Sequence, residues 1–343
     1  MIKFFKIPDF IKIMGRISLL STFLLAGLCL ASISHAQDLD ALVKDAQSGN
    51  AAAQFELATR YGKGDGLPVD MEKSLYWLAT AAAQDHILAQ MGLALAYSNG
   101  VGVTRDMESA LQWWERAARQ GQHSAMYNAA LMYRQGIGTP VNPQKAFEWL
   151  ERAAKQGLPP AQNMLGEMYF RGEGVHQDTK KAIQWYERAA AREVGPAFAS
   201  LGAIYLQGNG VDQDFKKALD WFQKGADLGD PECQKNMGLA YLGRWGVPED
   251  LPKAVTWLGK AAKQGNISAQ VLLAKTYLEH GKTALAGEWA QAAAQAGDPK
   301  GMYLWGRVLI LQDNRPLAAR VLGEAAKLGY EPAIELLEKI NRD

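Results

Sequence analysis

The sequence predicts an all-α chain: a solenoid of about eight helix-turn-helix repeats with a capping helix at each end. Three observations carry this expectation. Tyr61, Tyr97, Tyr133, Tyr169, Tyr205, Tyr241 and Tyr277 stand 36 residues apart, as do Trp77, Trp113, Trp149, Trp185, Trp221 and Trp257. Self-similarity at a fixed period of this length marks a repeat architecture. Each unit also holds two stripes at helical spacing, such as Ala161, Leu165, Gly166 and Tyr169 for the first, and Ala110, Trp113, Trp114, Ala117 and Ala118, two units earlier, for the second. Paired glycines separate the stripes, among them Gly100 and Gly102, Gly136 and Gly138, Gly172 and Gly174, and Gly208 and Gly210.

Taken in order, residues 1–36 predict a secretory signal. Lys3, Lys6, Lys12 and Arg16 precede the apolar run from Ile17 to Ile33, and Ser34-His35-Ala36 suits cleavage before Gln37. The mature chain is then expected in the periplasm or outside the cell. The apolar run approaches the length of a bilayer span, so an uncleaved membrane anchor is the alternative. Leu28 before Cys29 does not suit lipidation. Residues 37–49 are expected to form an N-terminal capping helix, and residues 50–266 six repeats of 36–37 residues. From there the period contracts to 32, through Trp289 to Val321, so residues 267–330 form two shorter repeats without the paired-glycine loop. Residues 331–343 form the C-terminal capping helix. With no linker in sight, one elongated domain is expected, each repeat burying its apolar face against its neighbours.

The connections have matching chemistry. The first glycine after each Tyr suits the left-handed conformation that ends a helix. Asp70, Asp106, Asn142, Asp178, Asp214 and Asp250 precede the second helices as N-caps. The periodic Tyr residues, together with the periodic Trp residues through Trp289, are expected to be structural core.

Charge and composition exclude other classes. Without residues 1–36 the chain has 33 basic and 35 acidic residues, a net of −2. That offers no electrostatic pull on nucleic acid. His86, His123, His176 and His280 lack metal-ligand spacing, so surface histidines and no metal or cofactor are expected. No nucleophile with a recognisable base emerges, and no catalytic residue is assigned. Cys233, the one cysteine of the mature chain, stands where other repeats have Ala and is expected in the core.

Residues Ala161 to Tyr169, Gly172-Glu173-Gly174-Val175, Asp178, Lys181-Ala182, Trp185-Tyr186 and Ala189-Ala190 resemble the Sel1-like repeat, a relative of the tetratricopeptide repeat. The resemblance implies a right-handed α-solenoid whose first helices line a concave wall, and an exported scaffold or adaptor that binds protein without catalysis. By that resemblance Phe55, Met91, Leu95, Tyr127, Leu131 and Phe170 form an apolar strip with a basic rim of Arg134 and Arg171. Such a strip suits an extended peptide or amphipathic helix. The alternative is that several of these residues pack sideways between first helices. Implied partners are cell-envelope assembly or peptidoglycan-remodelling enzymes, or host proteins, with a membrane only if the signal is uncleaved. A second reading is a cell-wall or exopolysaccharide binder using Tyr127, Asn163 and Gln135. A third is an enzyme of unknown type. Some cysteine-rich relatives are associated with β-lactams, but their paired cysteines are absent here, so that activity does not carry over.

Overall fold

The computed structural model describes residues 38–342, and the expected export signal lies outside them. Among the described residues every regular element is an α-helix. Helix α1 spans 38–47. It is followed by α2 (Ala51–Lys63), α3 (Met71–Ala83), α4 (Ile87–Asn99), α5 (Met107–Arg119), α6 (His123–Gln135), α7 (Pro143–Lys155) and α8 (Pro159–Arg171). The second half holds α9 (Thr179–Ala190), α10 (Gly195–Gln207), α11 (Phe215–Asp227), α12 (Pro231–Tyr241) and α13 (Leu251–Lys263). It ends with α14 (Ile267–Glu279), α15 (Thr283–Gln295), α16 (Pro299–Leu311), α17 (Arg315–Lys327) and α18 (Glu331–Arg342). Eight helix pairs in sequence, from α2–α3 to α16–α17, thus lie between two single helices. The chain divides between Asp178 and Thr179 into two compact units, α1–α8 and α9–α18, where one domain was expected. Contacts in a repeat fold run between sequence neighbours, so such a division needs no linker.

In the first unit one position, held by Asp or Asn, both starts and ties each second helix. The side chains of Asp70, Asp106 and Asn142 accept from first-turn amides of α3, α5 and α7 at 2.9–3.2 Å. The same residues donate their own N–H groups to the carbonyls of Tyr61, Tyr97 and Tyr133 at 2.8–3.0 Å. The cap therefore satisfies orphan helix amides and fastens the loop behind them. At the outer end, Ala46 of α1 packs with Ala53 and Leu57, joined by Leu39, Leu42, Val43, Tyr61 and Trp77. That is the capping contact expected of residues 37–49.

The periodic aromatic residues reach the core, several of them at its margin: Tyr61, Trp77, Tyr97, Trp113, Tyr277 and Trp289 lie against buried clusters. Of the periodic aromatic residues only Tyr133, Tyr169 and Tyr205 are buried, and the others are half-buried. The residue after the Trp is the enclosed one: Trp114, Leu150, Phe222 and Leu258 are at most 1% exposed. One further step turns a helical side chain by about 100°. The periodic indole instead lies under a cation three residues on, with Arg116 4.6 Å from the Trp113 ring and Arg152 4.8 Å from Trp149. In the second unit Arg188, Lys224 and Lys260 cover Trp185, Trp221 and Trp257 at 3.9–4.5 Å. Ring and cation attract through the ring quadrupole, which suits a half-exposed indole.

A buried polar ladder accompanies the alanines. Gln54, Gln90, Gln162, Gln234 and Gln270 are all at most 9% exposed. Their amides donate to the carbonyls of Ala46, Ala82, Ala154, Ala226 and Ala262 at 3.0–3.3 Å. Each of those carbonyls lies in the last turn of the preceding helix, where it also accepts a backbone N–H from the residue three further on, so the glutamine amide adds a second donor. Gln84, Gln120 and Gln264 in turn donate to Gln54, Gln90 and Gln234 at 2.7–2.9 Å. Gln90→Met removes the donor to Ala82 and the acceptor for Gln120 while keeping side-chain volume. We expect a cost of about 1–3 kcal/mol, read as a lower urea midpoint with an unchanged slope.

In the second unit the helical glycines admit large side chains from the facing helix. A Cβ on Gly238 or Gly306 would fall 2.6 Å from Leu258 or Leu322. Cys233 is fully buried, and a Cβ on Gly225 would lie 2.4 Å from its sulfur. Burial pushes the Cys233 thiol far above its ordinary range, so it stays protonated and serves packing. At the end, Leu336, Leu337 and Ile340 of α18 cover Leu322, Ala325 and Ala333, the expected C-terminal cap.

Candidate interaction surface

All eight residues of the expected strip and rim belong to the first unit, on the first helices α2, α4, α6 and α8. Phe55, Leu95, Tyr127 and Phe170 are half-buried, one on each of these helices. Met91 and Leu131 are only 4% and 7% exposed, so they are withdrawn from any surface. Phe55 packs against Ala81, Ala82, Ala89 and Leu93, and its ring stacks on His86 with centroids 4.8 Å apart. Burial raises the Tyr127 phenol above its usual range, with Arg134 acting in the opposite sense.

The basic rim is corrected as well. Arg134 donates from Nε and Nη2 to the Glu173 carboxylate at 2.8 and 3.2 Å, and from Nη1 to Glu167 at 3.2 Å. Arg171 reaches Glu167 at 3.2 Å and Glu173 at 3.8 Å. Two arginines share two carboxylates, and the rim is charge-balanced. Burial works against the Arg134 charge, but the two glutamates more than offset it and hold the guanidinium above its ordinary range. This bidentate brace joins α6 to the α8 region and orders the edge beside Tyr127. Glu173 is the middle residue of a Gly-x-Gly loop and the sequence reading gave it no role; only its place one repeat beyond Arg134 hinted at the pairing.

Among the described residues no three His, Cys, Asp or Glu side chains converge on a metal-sized site. No described helix is long and apolar enough to cross a membrane.

A pattern of capped helix pairs with alanine–glutamine seams is specific enough to compare with known families. The Sel1 repeat profile matches residues 51–86, 87–122, 123–158, 159–193, 199–230 and 231–266, well over half of the chain. The protein belongs to the Sel1 repeat family. Among solved structures it is similar to a protective antigen of uropathogenic Escherichia coli, at 31% identity and a TM-score of 0.72. That match covers 88% of this chain and 67% of the antigen. It is also similar to a Sel1 repeat protein of Oxalobacter formigenes, at 33% identity over 79% of both chains with a TM-score of 0.70. Yeast Tom70 shares the fold alone, at 14% identity and a TM-score of 0.50, over 80% of this chain and 61% of Tom70. No curated protein matches the sequence. The fold class is the all-α solenoid of Sel1 repeats. Sel1 repeat proteins generally mediate protein–protein interaction as non-catalytic scaffolds.

Proposed function

We propose that this Sel1 repeat protein is an exported scaffold that holds another protein against the first helices of its first unit. The observation that supports this reading is the set Phe55, Leu95, Tyr127 and Phe170, one half-buried apolar side chain on each of four successive first helices. Aromatic side chains such as Tyr127 are frequent anchors of recognition. The neutral edge formed by Arg134, Arg171, Glu167 and Glu173 suits a partner of mixed charge better than a polyanion. Envelope assembly proteins, peptidoglycan-remodelling enzymes or host proteins are the partner classes that export would bring within reach.

The test is capture from envelope extract with the native protein and with Leu95→Glu, Tyr127→Glu and Phe170→Glu combined. We expect at least about a tenfold loss of the captured partner, the scale of one to two anchors, with helical content unchanged. Full retention of every partner by a folded variant would reject this surface. Co-sedimentation of the native protein with purified peptidoglycan, abolished by the same variant, would move the assignment to glycan. Export is tested by sequencing the N-terminus of the protein recovered from the periplasm or medium. Cleavage before Gln37 is expected; an intact N-terminus in the membrane fraction would establish the anchored form.

A further inference from the structure

Eight first helices, α2 to α16 by alternate numbers, start at equivalent positions, and five of them have a side-chain cap: Asn50, His86, Asp230, Asn266 and Asp298. Only His86 uses an acceptor that titrates near neutrality. Its Nδ1 accepts from the Ala89 N–H at 3.3 Å, at the start of α4. Its ring also stacks on Phe55 of α2, tilted by 29°. A doubly protonated imidazole has no acceptor. It would also place positive charge at a helix N-terminus that is already electropositive.

We infer that His86 is an acid-sensitive joint: its protonation uncaps α4 and loosens the contact that Phe55 makes between α2 and α4. The surroundings do not favour the charged form. Burial depresses the His86 pKa below its ordinary 6.5, and no neighbouring charge contributes. Asp85, next in the chain, accepts from the Gln90 amide at 3.1 Å. On α2, Glu56 is engaged by Arg60 at 3.0 Å, and Lys63 lies at the far C-terminus. On α3, Glu72 and Lys73 lie in the first turn, at the end away from His86. Helix α4 has no charged side chain, Arg119 at the end of α5 pairs with Glu115 at 3.0 Å, and His123 at the start of α6 is exposed. The Phe55 ring acts in the opposite sense, since an aromatic face attracts a cation. With the folded pKa depressed, the stabilisation is intact above 6.5 and is lost as pH falls through the lowered value.

His86→Asn supplies the test, because Asn50 and Asn266 already fill the equivalent place and cap by Oδ1 without titrating. Urea unfolding of the two full-length proteins is compared from about pH 7.5 to about pH 5, the range in which histidine titrates. The unfolding constant of the native protein should rise roughly five-fold more than that of the variant, the scale of one lost N-cap. The imidazole proton resonance missing from the variant should titrate below 6.5 in the native protein. A constant difference across the range, or a resonance titrating at or above 6.5, would overturn the inference. Neither readout involves a partner, so its failure is separate from failure of the scaffold assignment.

Discussion

Phe222→Ala is expected to cost about 3–5 kcal/mol of unfolding free energy, clearly more than Trp221→Ala beside it. Phe222 is fully buried, and its ring fills the space over Gly202. A Cβ on that glycine would lie 2.4 Å from Cε1, 2.5 Å from Cδ1 and 2.8 Å from Cζ. Across the ring stands Trp245, with centroids 6.2 Å apart. Truncation leaves a void facing bare α10 backbone, and Gly202 has no side chain with which to refill it. Helices held by neighbouring turns relax little, so the cavity contributes in addition to the lost apolar transfer. Trp221 is larger, yet it is half-buried, with its ring centroid 6.0 Å from that of Phe198 and Lys224 over its face at 4.5 Å. Its removal exposes a groove that water can enter. Urea denaturation of the two variants decides the matter; equal or reversed costs would return the core to the periodic Trp.

That contrast also shows where the sequence was readable. The period and the helix pairs follow from local chemistry, as do the N-caps Asp70, Asp106, Asn142, Asp214 and Asp250 and the left-handed glycines that end the first five first helices; after Tyr241 and Tyr277 the helices end instead on Leu242 and His280. Which of two adjacent apolar residues faces inward is not local: Trp113 and Trp114 both fit one stripe, and tertiary packing encloses Trp114 while Trp113 stays half-buried. A signal was present in the basic residue three after each periodic Trp from Trp113 to Trp257, which marks that indole as half-exposed. The glutamine seam was legible in principle at multiples of the period, but Met126 and Phe198 interrupt the register. On the candidate surface, counting along a helix gave the face but not the depth. Ala129 stands where Leu165 stands one repeat later, and Leu131 is the nearby large side chain that becomes buried. The rim looked basic because Arg134 and Arg171 were weighed without Glu173, which reaches Arg134 from the loop of the next repeat.

Gly138→Ala is expected to destabilise the first unit by at least about 3 kcal/mol, combining backbone strain with a collision. Gly138 has φ of +70°, where an alanine is disfavoured. The larger effect is contact. A Cβ there would lie 2.3 Å from the Met107 carbonyl oxygen, 2.4 Å from its carbon and 2.8 Å from the Glu108 nitrogen. These are backbone atoms in the first turn of α5, whose position Asp106 fixes by capping Glu108 and Ser109 at 3.0 and 3.2 Å. A flexible side chain could turn away; a capped helix start cannot. Either the loop after α6 lifts from α5, or α5 loses its first turn. Gly121→Ala isolates the strain, since Gly121 has φ of +92° and nothing within 4 Å of the added carbon. It should cost only about 1 kcal/mol. The difference between the two variants in urea midpoint therefore measures how closely one repeat's loop is seated on the helix before it. If both variants lost the same stability, that seating would not exist, and the Gly-x-Gly signature would serve the turn alone.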